Sequence, residues 1–181
     1  VTDKTEALVR DYITLLSLSG VVVALDQWTK WWVRTNIPYR STWLPDWLSW
    51  LSPYARIVHW SNTGAAFGSF QNGNPVLVLL SFVVIAVILL LYIRMEDGYL
   101  RFAMGLYMSG VAGNLVDRLM RGTVTDFISI GTFDVFNLAD SVISIAVVIV
   151  ILGALNKERV MEQENANMEQ GNGNGEGSSS G

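Results

Sequence analysis

The chain has 181 residues, 51% of them hydrophobic and only 15% charged, with seven Trp, no Cys and a net charge of −4. Those values lie outside the usual range of a water-soluble domain, and the missing cysteines exclude a disulfide framework, a thiolate nucleophile and every Cys-based zinc or iron–sulfur site. The acidic balance argues against nucleic acid as a partner, because phosphate binding needs clustered Lys and Arg, and the single His59 cannot build a metal site alone.

The apolar residues fall in four blocks. The first, residues 12–25, stays uncharged up to Asp26 and runs on through Trp28, Lys30, Trp31 and Trp32. It predicts a retained helix near 12–34 and not a secretory signal, since no small-residue cleavage pattern follows it. The start at Val1 is read as trimming or an incomplete N-terminus and carries no weight. Residues 75–93 contain no charge, and a helix of that length spans about 28 Å, close to the roughly 30 Å hydrocarbon core of a bilayer. Helices are expected there over 75–94, then over 99–120 and 138–156. The last two reach full length only by including Asp117 and Asp140, which is tolerable at a membrane boundary. Residues 1–156 thus read as a single membrane-embedded domain. Residues 157–181, polar and then rich in Gly, Asn and Ser, read as a disordered tail, in part a remnant of expression.

All seven Trp lie between residues 28 and 60, at the end of the first span and in the segment that follows it. Trp favours the headgroup level, where its ring is buried and its N–H stays wet. Trp43, Leu44, Trp47, Leu48, Trp50 and Leu51 recur at helical spacing, with Pro45 tolerable in a first turn, and predict a short amphipathic segment on the membrane surface.

Four spans in an up-and-down path put both termini on one side and residues 26–74 and 117–140 on the other. Lys and Arg divide six against six between the two sides, so the positive-inside rule assigns no orientation. The path nevertheless brings Asp26, Asp117 and Asp140 to one depth, with Asp126, Asp134, Asn62, Asn114, Arg118 and Asn137 on the same side. Polar residues at such a depth are candidate functional groups. Plainer roles compete with function at several of them. Asp26 and Lys30 are spaced as a helical salt bridge, Gly110 and Gly113 as helix-packing positions, and Arg118 and Arg121 as snorkelling cations; His59 suits an interfacial hydrogen bond. Two carboxylates brought within ~4 Å of each other would repel by about 4 kcal/mol at an effective dielectric near 20, and so would share one proton at neutral pH. The ionised member could then deprotonate water while the other donates to a carbonyl oxygen. No HExxH or GxSxG motif offers another hydrolytic design. A proton-linked transporter using Asp26, Asp117 and Asp140, or a catalytically silent binding protein, is the non-enzymatic alternative.

Five motifs in order, Asp26-Gln27-Trp28-Thr29-Lys30, Asn62-Thr63-Gly64-Ala65-Ala66-Phe67, Gly113-Asn114-Leu115-Val116-Asp117-Arg118, Thr125-Asp126-Phe127 and Phe136-Asn137-Leu138-Ala139-Asp140, resemble those of the bacterial lipoprotein signal peptidases, the type II signal peptidases. The likeness extends over about residues 20–150. It implies an all-α membrane protein with four transmembrane helices, a small extracytoplasmic β-cradle and an amphipathic surface segment, set in the bacterial inner membrane with cytoplasmic termini. It further implies an aspartic endopeptidase, a monomer without cofactor or metal, that cuts diacylglyceryl-modified prolipoproteins among membrane lipids. Carried across by motif, the catalytic pair is Asp126 and Asp140. Asp26, Lys30, Asn62, Gly64, Asn114, Arg118, Asn137 and Ala139 are then the substrate-binding or dyad-supporting residues. Asp117, adjacent to Arg118 and one turn from Asn114, suits a structural network better than catalysis. Ser109, Thr125 and a short 126–140 connection depart from the commoner pattern.

Overall fold

A computed structural model of the chain describes residues 2–64 and 74–176. The order is α1 (Thr2–Asn36), β1 (Thr42–Trp43), a 3-10 helix (Asp46–Leu51), β2 (Ala55–Asn62), α2 (Asn74–Tyr92), α3 (Gly98–Arg121), β3 (Val124–Ile130) and α4 (Leu138–Glu176). The stretch Ala65, Ala66 and Phe67 of the second motif lies outside the described residues.

Three helical stretches, Thr5–Asn36, Pro75–Tyr92 and Leu138–Asn165, are long and apolar enough to cross a membrane. Their large side chains are widely exposed, including Leu79, Val83, Leu90, Ile145 and Leu152, a pattern that suits a lipid solvent and not water. The helix α3 is more polar for a packing reason. It touches α1, α2 and α4, so Ser109, Asn114 and Asp117 are covered by protein. Leu15, Ile88, Tyr92 and Met108 form one buried apolar cluster among α1, α2 and α3. Val33, Ile37 and Phe127 form another that fastens the end of α1 to β3.

The strands make one antiparallel sheet in the order β1-β2-β3. Since β2 follows α1 and β3 follows α3, the sheet gathers at the end of the bundle where α1 and α3 finish and α2 and α4 begin. The register pairs Trp60 with Asp126 and Asn62 with Val124, with an irregularity between Ile57 and Trp60. After β3 the chain turns at Gly131, whose φ of +52° lies in the left-handed region. It then folds back so that Phe136 exchanges hydrogen bonds with Ile128. The short 126–140 connection is therefore a closed turn that returns Asn137 to the level of Asp126.

Two expectations differ from the structure. The Trp-rich stretch is not one amphipathic helix: Trp43 belongs to β1 and packs edge-on against Trp32, while Pro45 precedes a six-residue 3-10 helix with no buried residue. The segment 157–176 continues α4. Lys, Glu, Arg, Met and Gln, which dominate its first part, are strong helix formers, and a helix already nucleated in an apolar span extends at low cost.

Candidate active site

Three helices and two strands deliver polar side chains to the sheet end of the bundle, where they sort into two groups. In the first, Asp26, Lys30 and Arg34 follow one another at four-residue spacing on α1 and share a face. Lys30 is wholly buried, and its ammonium meets Asp26 Oδ2 at 2.8 Å, Asp117 Oδ2 at 3.3 Å and Asn114 Oδ1 at 3.0 Å. Three acceptors match its three donors. Asp117 also accepts the Thr125 backbone N–H at 3.0 Å and lies 3.4 Å from Arg34, which donates to Thr125 Oγ1 at 2.9 Å. Asp26 Oδ1 accepts the Ala139 N–H at 3.0 Å, so a carboxylate of α1 caps the first turn of α4. Arg34 did not stand out in the sequence, although its position one turn beyond Lys30 was the available signal.

Close backbone approach makes this group possible. A Cβ on Gly113 would lie 2.7 Å from Asp26 Oδ2, and one on Gly110 would lie 2.5 Å from the Ala139 carbonyl oxygen. Both glycines therefore have the close-packing role expected of them, and Ala139 is fully buried at this contact.

The second group contains Asp126 and Asp140, each held by neutral amides. Asn137 Nδ2 donates to Asp126 Oδ1 at 2.6 Å, and Asn62 Nδ2 donates to Asp126 Oδ2 at 2.9 Å. Asn114 Nδ2 donates to Asp140 Oδ1 at 2.8 Å. Each amide is oriented by what its oxygen accepts. Asn62 Oδ1 takes the Gly64 N–H at 2.8 Å, with Gly64 at φ +90°. Asn114 Oδ1 takes Lys30 at 3.0 Å and Asn137 Nδ2 at 3.1 Å, and Asn137 Oδ1 takes the Asp140 N–H at 3.1 Å. With every oxygen so engaged, each NH2 has to face a carboxylate.

Asn137 and Asp140 also bond reciprocally, since the Asn137 N–H donates to Asp140 Oδ2 at 3.2 Å. This is a capping box in which Asn137 is the N-cap of α4 and Asp140 the third residue of the helix. The pair of acids is thus joined through one asparagine, by its side chain to Asp126 and by its backbone to Asp140. Asp126 is 1% exposed. Burial raises its carboxyl from the ordinary 3.8 to about 6, against the opposing hydrogen bonds of Asn62 and Asn137, while the Asp140 charge adds to the rise.

Arg118 is half-buried beside this pair and feels the charges of Asp140, Asp126 and Asp117. Among the described residues it closes no ion pair. His59 Nδ1 donates to the Ile37 carbonyl at 2.7 Å, and Asp134 is exposed in the turn after β3. Among the described residues no group of three or more His, Asp or Glu could hold a metal ion.

Residues 18–156 match the family described as Signal peptidase (SPase) II. The chain belongs to that family. A lipoprotein signal peptidase of Shouchella clausii is 34% identical over 77% of this chain and 91% of its own. Another, of Mesorhizobium japonicum, is 36% identical over 74% and 80% respectively. The fold is that of a bacterial membrane enzyme solved by the in meso method at 2.3 Å resolution, with a TM-score of 0.72 at 24% identity, over 80% of this chain and 89% of that one. As a signal peptidase II the chain is a multi-pass membrane peptidase of the aspartic class.

Proposed function

We propose that Asp126 and Asp140 are the catalytic pair with which this peptidase removes the signal peptide of diacylglyceryl-modified lipoprotein precursors. One observation carries the assignment. Of the four acids that meet at this end of the bundle, Asp126 and Asp140 accept hydrogen bonds only from neutral donors, whereas Asp26 and Asp117 are each bonded to Lys30. A carboxylate neutralised by cations is a poor base and has no proton to give, whereas two acids sharing neutral donors can hold one proton between them. The ionised member removes a proton from water as the water attacks the scissile carbonyl. The protonated member donates to the carbonyl oxygen, and no covalent enzyme intermediate forms.

Asp26, Lys30, Asn62, Gly64, Asn114, Asn137 and Ala139 support the pair on this reading, and Arg118, with donors to spare, faces substrate. Four helices cross the inner membrane as a single domain over residues 1–156, α3 being the span whose polar residues the others cover. The termini are cytoplasmic, the pair lies near the extracytoplasmic face, and the enzyme works as a monomer. Between α2, α3 and α4 runs an apolar groove of about 330 Å³ lined by Val83, Val87, Met104, Tyr107, Val147 and Val150. It gives the substrate's signal helix a lateral berth from the bilayer. The Trp-bearing 3-10 helix rests at headgroup level as a clamp.

The test is cleavage of a diacylglyceryl-modified prolipoprotein by purified Asp126→Asn and Asp140→Asn variants. Both should lose about a thousandfold or more in turnover, the scale of losing general acid–base catalysis, with folding unchanged. Near-normal turnover by either folded variant ends the assignment.

A further inference from the structure

Beside the pair of acids, the sheet carries a second built feature. Residues opposite one another on antiparallel strands share a face, so Trp60 lies on the same face as its register partner Asp126. Asn62 is two residues along β2 from Trp60, hence also on that face, and its hydrogen bond to Asp126 agrees with this. Trp60 is 45% exposed and stacks on Tyr39 with ring centroids 6.5 Å apart. Arg40 covers both rings, its guanidinium carbon 5.5 Å from the Tyr39 centroid and 5.6 Å from that of Trp60.

Arg40 is held in place by its backbone. Its φ of +63° is left-handed, a conformation that residues other than glycine rarely adopt. The turn is fixed by hydrogen bonds from Arg40 N–H to the His59 carbonyl at 2.9 Å and from His59 N–H to the Ser41 carbonyl at 3.1 Å. Stacking uses the faces of the guanidinium and leaves its in-plane N–H donors open, and among the described residues no carboxylate pairs with it. A fixed cation with open donors thus lies across the sheet from the acids, toward β1.

We propose that Tyr39, Arg40 and Trp60 form a subsite for the mature segment of the substrate, selecting an acidic side chain shortly after the cleavage point. This rests on Asp126 and Asp140 being the catalytic pair. The substrate's signal helix occupies the bundle side of the pair, so the chain leaving the membrane crosses the sheet. The distance from β3 to β1 is about two strand spacings, roughly 10 Å, which an extended chain covers in about three residues.

The test uses the full-length enzyme in phosphatidylcholine nanodiscs. Its substrates are diacylglyceryl-modified precursor peptides with Asp, Asn or Lys at the second to fourth positions after the scissile bond. The wild type should favour the best-placed Asp over Lys by about fivefold in kcat/KM, the scale of an exposed ion pair. Arg40→Gln and Arg40→Gly should bring the ratio near one. The glycine variant suits the left-handed backbone, which separates loss of the cation from loss of the turn. A flat ratio in the wild type, or a ratio that survives both substitutions, overturns the subsite. So does a uniform fall for all peptides that depends on added phosphatidylglycerol, because the cation would then serve a lipid headgroup. Asp126→Asn, run alongside, separates the two claims: if it stays inactive on every peptide while the wild-type ratio is flat, the subsite alone has failed.

Discussion

Two groups of acids lie within one end of this bundle and are treated in opposite ways. Asp26 and Asp117 meet Lys30 and, at Asp117, Arg34, whereas Asp126 and Asp140 meet three asparagines. The difference teaches how a membrane enzyme can bury charge for stability and keep a proton-bearing pair beside it. Lys30 and Arg34 bond directly to the first group, and Lys30 also orients the second, because it holds Asn114 Oδ1 and thereby aims Asn114 Nδ2 at Asp140.

Substitution should separate the groups. The largest effect is on catalysis: Asp126→Asn and Asp140→Asn abolish turnover as described above while thermal unfolding in detergent stays near that of the wild type. Lys30→Met gives the reverse signature. It strands the buried carboxylate of Asp26, leaves Asp117 to Arg34 and should cost about 3–5 kcal/mol of stability, seen as a large fall in the unfolding midpoint, while the folded fraction keeps part of its turnover because only the aim of Asn114 at Asp140 is loosened. A folded Lys30→Met enzyme with an unchanged midpoint would remove the distinction between the groups.

Smaller effects sharpen the comparison. Gly113→Ala pushes a methyl onto Asp26, and Gly110→Ala onto the Ala139 carbonyl. Each should cost about 1–3 kcal/mol as overpacking, measurable by the same unfolding assay, with a moderate loss of kcat because α4 carries Asp140. The smallest expected change is in pH dependence. Burial holds the Asp126 proton up to about pH 6, so the singly protonated pair declines, and kcat/KM with it, as pH rises through that value. Asn62 donates to the ionised form and opposes the rise. Asn62→Ala should therefore move the alkaline limb to higher pH, with less than a tenfold change in maximal rate. The linkage sign follows the raised value. The stability this carboxyl contributes is complete below its ordinary 3.8 and is lost as pH rises through about 6.

Much of this was legible in the sequence because it follows from the alternation of charge and apolar length. The uncharged run at 75–93 gives α2, and the acids that end the other blocks converge once the path is up-and-down. The Asp26 and Lys30 spacing announces its own salt bridge. What could not be read is set by partners far apart in the chain. Lys30 and Asn114 are 84 positions apart, and no local pattern tells which way that amide faces. The return of Phe136 onto Ile128, which makes the short connection sufficient, depends on a single left-handed glycine turn. The Trp-rich stretch misled for a related reason: its period suits a helix, but the sheet takes Trp43 and the remaining six residues form only a 3-10 helix.

The central claim is that one buried carboxyl, Asp126, holds its proton up to about pH 6. Infrared difference spectra of the full-length enzyme in lipid, recorded between pH 4.5 and pH 8, test it directly through the C=O stretch of a protonated carboxyl. The account predicts a band that titrates near pH 6, vanishes in Asp126→Asn and persists in Asp117→Asn. A band that persists in Asp126→Asn, or one lost only with Asp117, would contradict it.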